Sequence, residues 1–328
     1  MSLTVGDRVP GIFGSTAGGR IYSLDVQAGK PALILALGSL DPEAARAMMA
    51  RVRKAAPAIN AAGGEIVPLA PIGVFGAAQD LQADALIVHS AEASGLDGAV
   101  FDGHPGAIVL DRSGRILDLR PVAPDTDLAE LFAAAAARQT LCAAPVLIVP
   151  NVAPPEVCRA WIAHFEASPH SEGVMASYVG GVAQARVDLA KKKRRDIELE
   201  DGSAIHGQAL QLIAGRVVPE IKRAFQKDIT FADRVLIARY DEDGGYFRRH
   251  RDNASPQVAF REFAISLNLN TGAYEGGELL FPEYDDQLYN PPAGGAVVFS
   301  ASLLHEAAPV TRGSRYVLLS FLCEKTPG

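Results

Sequence analysis

Cysteine is scarce in this sequence: Cys142, Cys158 and Cys323 are the three in 328 residues, an odd number without the paired spacing of a zinc site or a disulfide framework. That scarcity points to a reducing compartment. The stretch before Cys142 contains no thiol at all, which excludes thiolate chemistry there. A basic excess is also missing. Against 38 Asp and Glu stand 31 Lys and Arg, the net charge is −7 and neither half is basic, so nucleic acid is not expected as a partner. No uninterrupted apolar run approaches the ~18 residues of a membrane span, and Met1–Asp7 lacks the charged-then-apolar order of a signal peptide. No membrane partner is expected, and the expected address is the cytoplasm. With 48% hydrophobic residues, neither disorder nor collagen-like order fits, and 328 residues suit two domains better than one core.

Residues 1–140 read as alternating strands and helices. Pro31–Leu37 is a continuous apolar run suited to a buried parallel strand. A helix is expected after it, with Asp41 as N-cap, Pro42 at the first helical position and Glu43 in the first turn. Glu65–Leu69 reads as a second strand after the Gly63-Gly64 break. The apolar runs Gly106–Leu110 and Ile116–Leu119 flank Asp111–Arg115 as a hairpin, and the Ala-rich Leu128–Arg138 reads as a closing helix. This order, with Gly6–Pro10 and His104–Asp111, resembles a thioredoxin-fold domain of the peroxiredoxin type. The resemblance places a reactive thiol where Gly38–Pro42 stands, so peroxidase chemistry is not expected. A scaffold, a dimerisation surface (a homodimer through this half) or a partner-binding module is expected instead. Pro105 resembles the cis-proline of thioredoxin folds, with an ordinary trans turn proline as the alternative.

Residues 141–328 open on a proline-bounded strand, Ala144–Pro150. Val157, Trp161 and Phe165 recur in steps of four on a helix that buries one face. Ile205, Ala209, Ile213, Val217, Ile221 and Phe225 predict one long helix kinked at Pro219. From Val235 the pattern changes to short strands, over 235–240, 260–269, 278–281, 296–299 and 315–323, which is the pattern of a small β-barrel or jelly roll. Lys191–Arg195 is the sharpest charge run. It reads as a solvated loop, and within the segment 178–201 as a mobile lid whose charge would favour an acidic substrate.

The chemistry gathers between Tyr240 and Arg315. His250 and Asp252, with His305 some fifty residues on, have the spacing of the two-His-one-carboxylate set that leaves open positions on non-haem Fe(II) for a chelating acid and O2. Arg315, ten residues past His305 on a strand-like run, is placed to take a carboxylate in two parallel hydrogen bonds. His250-Arg251-Asp252 also opens a kinase catalytic loop, but that motif needs Asn where Gln257 stands. A purely structural pairing of His250 with Asp252 is the bland alternative. His89, His104, His164, His170 and His206 have no partners at ligand spacing.

The segments Tyr240–Asp252, Leu267–Asn270, Glu275–Leu279, Pro292–Phe299 and His305–Tyr316 together resemble the prolyl 4-hydroxylase-type family of Fe(II)/2-oxoglutarate dioxygenases. The resemblance implies a double-stranded β-helix in which His250, Asp252 and His305 bind iron. It further implies that Arg315, where many members carry Lys, holds the distal carboxylate of 2-oxoglutarate, and that Tyr240 hydrogen-bonds the same cosubstrate. Fe(II), 2-oxoglutarate and O2 are the implied cofactors, with ascorbate as an accessory reductant. Hydroxylation of an unactivated C–H bond follows, on a prolyl residue of a protein or peptide, or on a free amino acid or small metabolite. A non-catalytic adaptor is the alternative from another class.

Overall fold

A computed structural model describes residues 3–9, 11–38, 40–91, 93, 105–173, 175–179, 182–186 and 191–324, without the side chains of 26, 175–179 and 182–186. Ser39, His104, the bond before Pro105, Gly180, Gly181 and residues 187–190 lie outside the described residues. The chain divides into two compact units: Met1–Cys142 with Pro282–Asp285, and Ala143–Phe281 with Asp286–Gly328.

The first unit is built on a seven-stranded mixed sheet. Its central strand Ala32–Ala36 runs parallel to Glu65–Pro71 and antiparallel to Gly106–Leu110. Every residue of that strand is buried because the sheet is covered on both faces, as the continuous apolar run requires. Leu33 and Leu35 pack with Met49, Ile59 and Phe132 on one side, and Ile34 packs with Tyr22 and Ile108 on the other. Asp41 caps the helix Pro42–Ala61, its Oδ1 accepting from the backbone N–H of Glu43 and Ala44 at 2.9 Å each. In the hairpin, Asp111 Oδ1 accepts from the N–H groups of Ser113 and Arg115, and Gly114 takes the left-handed position. The helix Leu128–Ala136 is capped in the same way by Asp127.

The second unit is built around two antiparallel sheets, beside two two-stranded antiparallel pairs, Met175–Val179 with Val182–Arg186 and Glu275–Gly276 with Val310–Arg312. The larger, in spatial order, is Leu147–Val149, Ala296–Ser300, Phe263–Asn268, Ser314–Cys323, Phe231–Asp241, Arg195–Glu198 and Ser171–Glu172. The smaller is Lys192–Lys193, Tyr246–His250, His305–Ala307 and Leu279–Leu280. Strand alternation sorts the side chains of the larger sheet. Val235, Ile237, Leu318 and Leu322 pack against Trp161, Phe165, Ile213 and Ile221 of the helices Pro155–Ala167, Ala204–Arg216 and Val218–Phe225. Tyr240, Arg315, Leu319 and Phe321 instead line a cavity shared with Phe247, His250, Leu279 and His305 of the smaller sheet. Two sheets closed on one cavity give the jelly-roll arrangement expected from the strand pattern.

Two expectations need correction. The long helix is not kinked within its length but breaks at Val217 into two, with Pro219 in the first turn of the second helix, where its missing N–H costs nothing. The basic run is not a solvated loop. Lys192–Lys193 pairs with Tyr246–Phe247, and Arg195–Glu198 pairs with Leu236–Arg239. The low opening free energy of a mobile lid therefore does not extend to 192–198. Lys192 is only 4% exposed and the Arg194 side chain 8%, and both pair with Asp196 where the chain passes from the strand Lys192–Lys193 of the smaller sheet to the strand Arg195–Glu198 of the larger.

Candidate metal centre

His250 ends one strand of the smaller sheet and pairs in register with His305, which opens the neighbouring strand. Cross-strand partners share a face, so the two rings meet with centroids 4.2 Å apart. Asp252 follows two residues later, its N–H donated to the Ala301 carbonyl at 2.9 Å. Its Oδ1 lies 3.4 Å from His250 Nε2 and its Oδ2 lies 3.4 Å from His305 Nε2. Among the described residues this is the one group of three or more potential metal donors, with all ligand atoms within 4.8 Å of one another.

The other ring nitrogens decide what these atoms are. His250 Nδ1 contacts the Arg248 carbonyl at 2.8 Å and His305 Nδ1 contacts the Leu303 carbonyl at 3.0 Å. A carbonyl only accepts, so each Nδ1 carries the proton and each Nε2 presents a lone pair. Burial pushes the His305 imidazole down to about 4, so it is neutral at neutral pH. Burial alone would raise the Asp252 carboxyl, but the positive surroundings, the Arg261 guanidinium among them, outweigh it and keep it ionised. Two lone pairs and a carboxylate thus converge with one net negative charge, a set that fits a divalent ion and leaves the face needed by non-haem Fe(II) open. Phe247 stacks on His250 at 3.5 Å, and Phe299 meets His305 at 4.6 Å, fixing both rings.

Arg315 opens into the same cavity. It is 2% exposed, with Nη2 donating to Asn268 Oδ1 at 3.1 Å and Ser266 Oγ at 3.3 Å. Its Nε has no partner, and no carboxylate pairs with it among the described residues. A buried guanidinium held by neutral acceptors alone carries a desolvation penalty of several kcal/mol, which an anionic ligand would offset. Room for it comes from Gly277, at φ +73°, where a Cβ would lie 2.8 Å from Arg315 Cδ. Arg312, three residues earlier, is exposed and paired to Glu275 and does not line the cavity. Tyr240 is the register partner of Arg315 and lies under its guanidinium, 5.3 Å from ring centroid to Cζ.

Arg194 is the residue that sequence reasoning missed. It lines the cavity, donates from Nη1 to the Tyr240 hydroxyl at 2.9 Å, and packs over the rings of Tyr240 and Phe247. Burial opposes its charge, but Asp196 and Tyr240 outweigh that effect and keep it protonated. The alternation of Lys192, Arg194 and Asp196 against Ile197 was the available signal. His170 instead stacks on Phe165, and His206 faces Asp201.

Comparison with known proteins gives partial relatives. The chain is 30% identical over 151 residues to a PKHD-type hydroxylase of Maricaulis maris, covering 44% of this chain and 64% of that protein. It is 31% identical over 113 residues to a PKHD-type hydroxylase of Picosynechococcus, covering 31% and 51%. The chain thus spans between half and two thirds of the length of these relatives. Among solved structures, a Pseudomonas putida prolyl-4-hydroxylase is similar at 20% identity and a TM-score of 0.42, over 55% of this chain and 93% of that one. Residues 235–323, which carry His250, Asp252, His305, Tyr240 and Arg315, match the 2OG-Fe(II) oxygenase superfamily.

Proposed function

We propose that this protein is an Fe(II)- and 2-oxoglutarate-dependent dioxygenase that hydroxylates an unactivated C–H bond, with a prolyl residue of a protein or peptide as the favoured substrate. The carrying observation is the convergence of His250, Asp252 and His305 beside the buried, uncompensated Arg315. When bound, ferrous iron with 2-oxoglutarate and O2 supplies the hydroxylation chemistry and leaves succinate and CO2. His250 and His305 would hold the ion through Nε2, and Asp252 through its carboxylate. Arg315 and Tyr240 would hold the acid, and the apolar walls Leu279, Phe299 and Leu319 exclude water from the reacting centre.

Residues 1–140 we read as a thiol-less, peroxiredoxin-like thioredoxin fold. The reading is supported by its mixed sheet with parallel and antiparallel neighbours at the centre, the capped helix Pro42–Ala61 and the lack of any cysteine before Cys142. A scaffolding or dimerising role suits such a module, and a cytoplasmic location suits a ferrous enzyme.

The test is succinate formation by the purified chain with Fe(II), 2-oxoglutarate and O2, with and without proline-containing peptides or free amino acids. Stimulation by peptide supports the favoured substrate. Stimulation by a free amino acid alone moves the substrate to small molecules, and no succinate under any condition leaves the adaptor.

A further inference from the structure

The bond between Arg194 and Tyr240 has a direction. A guanidinium only donates, so the phenol oxygen accepts and its own proton must go elsewhere. Among the described residues no acceptor takes it. Arg315 Nε, likewise without an acceptor, lies in the same cavity. Two buried donors therefore face one space beside the metal donors. Arg194 itself is compensated by Asp196 at 2.8 Å, so its charge is satisfied without a ligand. Its planar group is held over the rings of Tyr240 and Phe247, at 5.7 and 5.4 Å from their centroids.

We propose that Arg194 is a positioning residue for the cosubstrate: by donating to the Tyr240 hydroxyl it aims the phenolic proton into the cavity, toward the acid held by Arg315. This rests on the 2-oxoglutarate reading above. Two effects follow from the one bond. The hydroxyl rotor loses its freedom before the ligand arrives, and a cation drawing on the phenol oxygen makes the O–H a stronger donor. Arg194 acts through Tyr240, so its contribution exists only while that hydroxyl exists.

The experiment measures 2-oxoglutarate binding by calorimetry to the full chain loaded with Mn(II). The variants are Arg194→Met, Arg194→Lys, Tyr240→Phe, Arg315→Met and the Arg194→Met/Tyr240→Phe pair. Arg194→Met is expected to bind about tenfold more weakly. Arg194→Lys, which keeps a charge beside Asp196 but lacks the fork, is expected to fall with it. The paired variant is expected to bind no more weakly than Tyr240→Phe alone, the signature of a contribution carried by one bond. Mn(II) affinity should be unchanged in all of them. Losses that multiply in the paired variant, wild-type affinity in Arg194→Lys, or loss of Mn(II) binding in Arg194→Met would each overturn the proposal. If Arg315→Met weakens binding while Arg194→Met does not, this inference alone falls. If neither does, the 2-oxoglutarate reading falls and takes this inference with it.

Discussion

Replacing Arg315 with Met separates a structural cation from one kept for a ligand. Within the protein the guanidinium makes two hydrogen bonds to neutral acceptors, Ser266 and Asn268. Each is worth about 0.5–1.5 kcal/mol net, so their loss costs the metal-free fold about 1–3 kcal/mol. Against this stands relief of the desolvation penalty of a charge without a counter-ion, and substitution of buried charges by apolar groups of similar volume commonly stabilises by about 1–4 kcal/mol. The two nearly cancel. The metal-free variant should therefore unfold within about 1 kcal/mol of the parent in a denaturant titration. Cosubstrate binding has no such offset, because removing the cation forfeits two charge-assisted hydrogen bonds of about 1.5–3 kcal/mol each. A loss of about 3–6 kcal/mol corresponds to a roughly 150- to 25,000-fold weaker affinity for 2-oxoglutarate, read by calorimetry on the Mn(II)-loaded chain. An affinity within threefold of the parent, or a metal-free fold destabilised by several kcal/mol, would refute the reasoning and make Arg315 a structural residue.

Asp252→Ala should abolish stoichiometric Fe(II) binding, measured by metal analysis after gel filtration; full retention would remove the triad. Proton competition at His305 itself should set in only as pH falls toward about 4, where its imidazole takes a proton, as read by metal titrations across pH. Because burial depresses that folded value below the ordinary 6.5, the contribution of His305 to apo stability is fully present above pH 6.5 and is lost between there and about 4. Lys192, pushed down to about 7 by burial and by Arg194, carries the opposite test. Lys192→Met should raise the thermal midpoint most below pH 7, with the gain shrinking as pH rises toward 10.5; a pH-independent effect would place the cause in packing instead. Residues 1–140 should show no peroxide turnover in a peroxide-consumption assay, since no thiol precedes Cys142.

The cluster of potential metal donors was legible because its signal is local to strand ends: one residue between the first pair, one more donor at the start of a later strand, and a cation one strand beyond. Arg315 was legible for the same reason. Arg194 was not, because its partner Tyr240 is 46 residues away and five adjacent cations look solvated by composition alone. Only the placement of Asp196 two residues on, inside a strand, turns the charge inward. The long helix was misread at Pro219 because a step-of-four pattern continues across a break when the second helix keeps the same buried face, as Val217 and Ile221 do. The cap at Asp41 depends on neighbouring backbone N–H groups, and so is read directly from sequence.

The pairing of His250 opposite His305 has a consequence for folding. Side chains change face with each residue along a strand, so a one-residue slip between these two strands would turn one donor away from the other. An ion held by both histidines and Asp252 binds the native register and no slipped one, and at a thousand times its dissociation constant it favours that register by about 4 kcal/mol. The smaller sheet has only four short strands, and one is interrupted by a bulge between Phe247 and His250. Its hydrogen exchange should therefore follow the supply of metal, making the ion an alignment pin for the strands as well as a reagent.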